Sequence, residues 1–233
     1  MSEPMRGPGR EAAQALAADA EMLRFLHTSE LDAAVLETLR EVRFPANLAL
    51  LPGDPMAEAA WGALSAALGE LPMQADAALL DELAAEFAAL YLTGAYRLSP
   101  CESFWLDQDH LLYQGPMFEL RQRYAEAGVR VADWRKCPDD HMTHQLGFIA
   151  KLLSEARTDE DWEQLARFLD HHLLRWIHDF ARAVHERSAS SFYAALAVLT
   201  ASWCAGLRAC IDIAPEAPPA GDPARCDATG PQH

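Results

Sequence analysis

The stretch TDEDWEQLARFLDHHLLRWIHDFARAVHE, residues 158–186, sets Leu165, Leu169, Leu173, Trp176, Phe180 and Val184 three or four positions apart. Side chains at that spacing share one face of an α-helix, and no alternation of period two interrupts the run. Thr158 or Asp159 supplies an oxygen for the free amides of the first turn, so the spacing predicts one long helix reaching about Glu186. The next segment, from Ser190 to about Ile211, repeats the pattern with Phe192, Leu196, Leu199, Trp203 and Leu207. Residues 188–207 carry no charged side chain and are long enough to cross a bilayer. Five serines and threonines within them, and their place at the end of a helical chain, make this a buried central helix rather than a membrane span.

Working outward, the same periodicity covers nearly the whole chain. A first helix is expected over about Glu11 to His27, and a second from Ser29, capped there with Asp32 three residues on, to before Pro45. Asp54 followed by Pro55 opens a third, because proline needs no amide partner in a first turn. A fourth runs from about Asp76 to Thr93 and stops at Gly94. A short helix from Pro116 closes at Gly128, and Asp139 or Asp140 caps one carrying Met142, Leu146, Ile149 and Leu153. The expected fold is therefore all-α, a single bundle-like domain of seven to eight helices spanning 11–213, with the fourth, sixth, seventh and eighth central. Residues 1–10 read as a flexible amino terminus and 214–233, with five prolines, as a disordered tail.

With 35 acidic and 19 basic side chains, the formal charge is −16. Nucleic acid is excluded as a partner by that field, and a basic peptide is favoured. The basic residues before position 10 are not followed by an apolar core and cleavage site, so no signal peptide is expected. Five cysteines without short pair spacing suit a reducing compartment, which places the protein in the cytoplasm with no stable membrane insertion.

Little in the sequence speaks for catalysis. A phosphate-cradling glycine loop is missing. Asp140, His141 and His144 lie at spacings that share a helix face, which invites a metal, but a third or fourth ligand falls only to Cys137 or to the distant His171 and His172. Cys137 lies four residues before His141 without an oxyanion site or an orienting group. Neither metal nor cofactor is therefore expected, and the chain reads as a binding protein, not an enzyme. The least regular part, residues 95–115, gathers Glu102, Phe104, Trp105, Asp107, Asp109 and Tyr113, the mixture of aromatic and acidic groups that a basic, partly apolar peptide needs.

Several segments, taken in order, resemble one known family. Glu86, Phe87 and Tyr91 precede Pro100-Cys101-Glu102-Ser103; Tyr124 and Gly128 end a short helix; Pro138-Asp139-Asp140-His141 is followed by Leu146; His172 and Trp176 lie within residues 168–180, before Phe192-Tyr193-x-x-Leu196. Over residues 82–207 this order and spacing are similar to the TorD/DmsD family of molybdoenzyme maturation chaperones, related to the nitrate reductase assembly chaperone. The chain departs in an extra aspartate, which displaces Pro138 by one, and in Gln145, where the family often carries glutamate.

The resemblance implies a cytoplasmic chaperone that binds the twin-arginine signal peptide, the apoprotein of a molybdopterin-containing oxidoreductase, or both, holding the client until its cofactor is inserted. It implies a peptide site at Trp105, Asp140, His141 and Gln145, with Glu102 and Tyr124 nearby. A purely structural assembly protein gripping the mature client is the alternative. A monomer and a domain-swapped dimer, exchanging at the connection between Gly128 and Pro138, both remain open.

Overall fold

A computed structural model describes residues 6–72 and 74–215. Among these the regular structure is entirely helical: α1 (Arg10–Leu26), α2 (Ala33–Glu41), α3 (Pro55–Glu70), α4 (Ala77–Phe87), α5 (Glu102–Leu106), α6 (Gly115–Glu126), α7 (Met142–Glu155), α8 (Asp159–His171), α9 (Ile177–Arg187) and α10 (Ser191–Ala209). The all-α class stands. Each of the eight expected helices is present, and two refinements raise the number of segments.

The first refinement is the 158–186 stretch, which is two rods rather than one. Helix α8 ends at His171, residues Leu173–Arg175 make a 3₁₀ turn, and α9 begins at Ile177. His172 (φ −122°, ψ −91°) and Trp176 (φ −141°, ψ −23°) leave helical geometry. Both side chains are buried, His172 against Glu102 and Trp176 against Phe180 at 5.9 Å between ring centroids. Apolar spacing cannot register such a break, because the stripe continues through it. The second refinement is α5, one short helix inside the irregular 95–115 region.

Capping locates the helix ends. Asp54 accepts from the amides of Met56 and Ala57, and Asp76 from Leu79. Thr158 and Asp161 complete a capping box on α8. Helix α2 starts later than expected, because Asp32, not Ser29, takes the amide of Val35 at 2.8 Å. Helix α7 also starts later: His141 caps it, since the carboxylate of Asp140 is engaged elsewhere. Helix α4 continues through a π turn at Ala88–Leu92 before Gly94, whose φ of 64° ends it in a conformation that glycine tolerates best.

The core forms where α1 packs on α7 and where α10 lies against both α3 and α9. Helix α1 is therefore more central than expected and α4 less so. Leu23, Leu146, Ile149, Leu165, Leu169, Phe180, Leu196 and Leu207 are fully buried there, and each large-to-alanine truncation at such a site costs about 2–5 kcal/mol. Helix α10 has the length and hydropathy to cross a membrane, but it is spent covering α3 and α9, with most of its surface buried.

A strap closes the base of the domain. The amide of Arg6 donates to Asp159 at 2.9 Å, its guanidinium pairs with Glu163, and its carbonyl accepts from the amide of Asp212 at 2.7 Å. Gly7 lies flat on the ring of Trp162, where an added Cβ would fall 2.3 Å from the indole. The expected flexible residues 1–5 and most of the proline-rich tail, with Cys226, lie outside the described residues.

Candidate functional site

Two loops far apart in sequence are zipped together between α5 and α7. Cys101 and His141 form a single antiparallel backbone pairing, in which the amide of Glu102 donates to the carbonyl of Asp140 (3.1 Å) and that of Met142 to the carbonyl of Pro100 (2.7 Å). Proline at 100 and at 138 holds each loop off the helical path just before the pairing.

Side chains then lock the junction. Ser103 donates from its amide (2.7 Å) and its hydroxyl (2.5 Å) to Oδ2 of Asp140. Gln145 donates through Nε2 to Oε2 of Glu102 (3.1 Å) and to the carbonyl of Asp140 (3.0 Å). Oε1 of Glu102 lies 3.2 Å from Nδ1 of His172, at the break between α8 and α9. Tyr124 of α6 donates its hydroxyl to the carbonyl of Asp139 (3.1 Å), and the Asp139 carboxylate holds the guanidinium of Arg121 at 2.8 Å. Four of the six expected residues, Glu102, Tyr124, Asp140 and Gln145, thus belong to one brace, and all four are buried.

The remaining two flank it. His141 accepts at Nδ1 from the amide of Thr143, which leaves Nε2 as the protonated nitrogen. Burial, and then the neighbouring His144, hold its pKa down at about 3. His141 is therefore a neutral cap rather than a proton donor at physiological pH. Trp105 is half-buried, donates its indole N–H to the carbonyl of Ser99 and packs edge-on to Phe180 at 6.2 Å. Its role in this arrangement is to seat α5 on the core.

Electrostatically the brace is short of donors. Burial is the main cause raising the pKa of both Glu102 and Asp140, opposed by His172 for the first and by the Ser103 hydrogen bonds for the second. Oδ1 of Asp140 and Oε1 of Gln145 are buried acceptors to which the protein brings no donor. Buried acceptors without a donor are rare in folded proteins, and a ligand or an ordered water is what commonly completes them. The 107–113 loop follows α5, held to it by His110 at the carbonyl of Phe104 and, just beyond the loop, by the amide of Gln114 donating to the Ser103 hydroxyl. In it His110 (φ 56°) and Tyr113 (φ 62°), neither of them glycine, take left-handed backbone geometry, a strain of order 1–3 kcal/mol each that concentrates at ligand clamps. Leu111 and Leu112 stand exposed on that loop.

The alternative chemistries find no support in the geometry. Oδ2 of Asp140 and Nδ1 of His141 are taken by Ser103 and Thr143, and no cluster of three or more potential metal ligands occurs among the described residues. Burial pushes the Cys137 thiol up to about 11, the opposite of what a nucleophile requires.

Ser103, Asp139, Arg121 and His172 complete the brace, although none was singled out as a site residue from the sequence. The two Pro-led acidic motifs were visible, but their pairing was not.

A family model for the nitrate reductase delta subunit matches residues 53–182. The chain is 29% identical over 187 residues to the chaperone protein TorD of Vibrio parahaemolyticus, covering 77% of this chain and 86% of that protein. It is 30% identical over 191 residues to the TorD of Shewanella pealeana (78% and 83%) and 30% identical over 202 residues to that of Shewanella loihica (82% and 90%).

Proposed function

The chain belongs to the nitrate reductase delta subunit family, together with the TorD chaperones, and from that premise we propose that it is a cytoplasmic, non-catalytic chaperone in molybdoenzyme maturation that binds the twin-arginine signal peptide of its client. The observation that carries this reading is the donor-poor brace: two buried carboxylates, with Oδ1 of Asp140 and Oε1 of Gln145 taking no hydrogen bond from the protein.

A guanidinium fits that deficit, since it presents five N–H donors in a fixed fork and carries the charge that a carboxylate pair lacks. With Asp139 paired to Arg121, Gln145 limits the remaining carboxylates of the site to Glu102 and Asp140 and leaves an amide oxygen as an acceptor. Asp140 is fully buried, so an arginine reaches it only when the junction opens, and the strained 107–113 loop, tied to Ser103 through Gln114, is the segment best placed to yield. Leu111 and Leu112 on that loop then offer apolar contact to the hydrophobic stretch that follows the arginines in a signal peptide. The formal charge of −16 speeds the encounter and weakens it in salt.

Titration calorimetry with a synthetic twin-arginine signal peptide and its twin-lysine variant tests the proposal. The expected result is saturable binding of the arginine peptide, at least tenfold weaker binding of the lysine form, and loss of the difference in Asp140→Asn. Equal binding of both peptides, or of neither, would move the function to the mature part of the client.

A further inference from the structure

The acidity of the chain is interrupted at one place. Residues 121–136, RQRYAEAGVRVADWRK, hold five of the 19 cationic side chains and only two of the 35 acidic ones. On this segment and α6 lies a ladder of alternating aromatic rings and guanidinium groups. Arg121 stacks over Phe118 (5.6 Å) and over Trp134 (4.5 Å), Arg135 stacks over Trp134 (4.9 Å), and Tyr113 meets Trp134 edge-on (6.5 Å).

The ladder is held in advance of any partner. Asp139, itself buried, grips the Arg121 guanidinium through Nε and Nη2, which fixes the central rung. Phe118 is 56% and Tyr113 42% exposed, so the apolar parts face outward. Among the described residues Arg135 and Arg130 have no carboxylate partner, which leaves their N–H groups available. Exposed aromatic and arginine side chains held rigid are the composition of an interface core, because little side-chain entropy is lost on binding.

A cavity of about 250 Å³ opens beside the ladder, lined in part by Val129, Arg130 and Val131 of the same segment. Arg24 and Lys151 rim it from α1 and α7, already paired with Glu21 and Glu155, so that among the described residues Arg130 is its unpaired cation, and His144 brings a buried Nε2 that has no protein partner. Gly147 of α7 makes room for the first of these cations, since a Cβ there would meet Cδ of Arg24 at 3.0 Å. A glycine in mid-helix costs about 1 kcal/mol relative to alanine, and here it lets the arginine lie across the helix toward the opening.

We propose that the Phe118–Arg121–Trp134–Arg135 ladder, with the cavity beside it, docks an acidic polypeptide segment of a partner protein, its carboxylates on the free guanidinium groups and its apolar side chains on the rings. Charge complementarity selects the partner: this surface repels the arginine peptide proposed for the brace and attracts what the rest of the molecule repels. The two surfaces therefore take different ligands and can be lost separately.

Fluorescence anisotropy of the full chain with a labelled peptide in which glutamates alternate with leucine and phenylalanine tests this. Saturable binding is expected, weakening as salt rises, with a loss of at least about tenfold in Arg135→Glu and in Phe118→Ser and no loss in Arg182→Glu, which removes an exposed arginine on α9. Arg135→Lys keeps the charge but loses the planar stack, and an intermediate loss is expected. Circular dichroism melts identify any variant that fails to fold, in which case Arg135→Gln replaces Arg135→Glu. The twin-arginine peptide serves as the independent readout and is expected to bind all these variants as it binds the unaltered chain. No saturable binding of the acidic peptide, undiminished binding in both ladder variants, equal binding of a peptide with lysine in place of glutamate, or Arg135-dependent binding of poly-U in its stead would overturn the proposal.

Discussion

Among the buried polar networks of this helical domain, two are built on opposite terms. The bridge of His27, Tyr91 and Thr200 ties the end of α1 to the π turn and to α10. Thr200 donates its hydroxyl to the carbonyl of Leu196 (2.8 Å) and so accepts from Nε2 of His27 (2.9 Å), which leaves Nδ1 to accept from Tyr91 at 2.6 Å. Every polar atom has a partner, the imidazole is neutral, and burial, then His141, lowers its pKa to about 3. The brace of Glu102, Asp140 and Gln145 is as deeply buried yet leaves two acceptors without donors. A complete network serves architecture, because nothing remains for a ligand to supply. An incomplete one is tolerated where a ligand completes it.

The comparison is broken most severely by Glu102→Ala. That change takes the partner from His172 and from Gln145 together, and a loss of about 3–5 kcal/mol is expected in urea unfolding. A loss below about 1 kcal/mol would mean that the brace does not hold the two loops. Tyr91→Phe takes from the bridge only the hydroxyl and leaves Nδ1 of His27 unpartnered, at a cost of about 1–3 kcal/mol. Peptide affinity is expected to be unchanged, and any change in calorimetry would blur the division of labour.

Acid separates the buried histidines from the brace carboxylates by sign. His27 and His141 are held near 3 in the folded chain and titrate near 6.5 when unfolded. The unfolded state therefore binds more protons as the pH falls below about 6.5, and each histidine withdraws up to about 1.4 kcal/mol per pH unit until its folded pKa is reached. Glu102 and Asp140, both raised, work the other way: their native forms hold protons that the unfolded chain has released, so their contribution declines as pH rises above about 4. Unfolding midpoints measured from pH 7 to 5 are expected to fall, and to fall less steeply in His27→Gln. The smallest effect on stability is expected from Asp140→Asn, which keeps an oxygen for Ser103 and shifts the midpoint by less than about 1 kcal/mol. The larger effect of this change is expected in peptide binding, and a large stability loss would assign Asp140 a structural role.

How far the sequence discloses these networks depends on whether a pattern is local. Periodicity and capping residues locate the eight helical stretches, since each signal is complete within a turn or two, as with Asp54-Pro55 or Thr158 and Asp161. The break at His172 escapes because its cause, the buried carboxylate of Glu102, lies 70 positions away. The same distance conceals the pairing of residues 100–103 with 138–142 and the seat of His27 against Tyr91 and Thr200. The resemblance singles out Asp140 and His141, but not that Asp140 is buried against Ser103 or that His141 caps α7 at Thr143. Burial is set by the assembled surface, which no single motif carries.

The amino-terminal strap has a practical consequence. Since the carbonyl of Arg6 accepts from the amide of Asp212, positions 6 and 212 are neighbours, and a short glycine-serine link spans them without crossing the domain. A circular permutant reopened at the exposed Ala189, between α9 and α10, would keep every helix intact and give up only local bonds such as that from the Ala189 amide to Glu86. Any fusion partner should be attached ahead of Arg6 with Gly7 left unchanged, because the indole of Trp162 leaves no space there for a side chain.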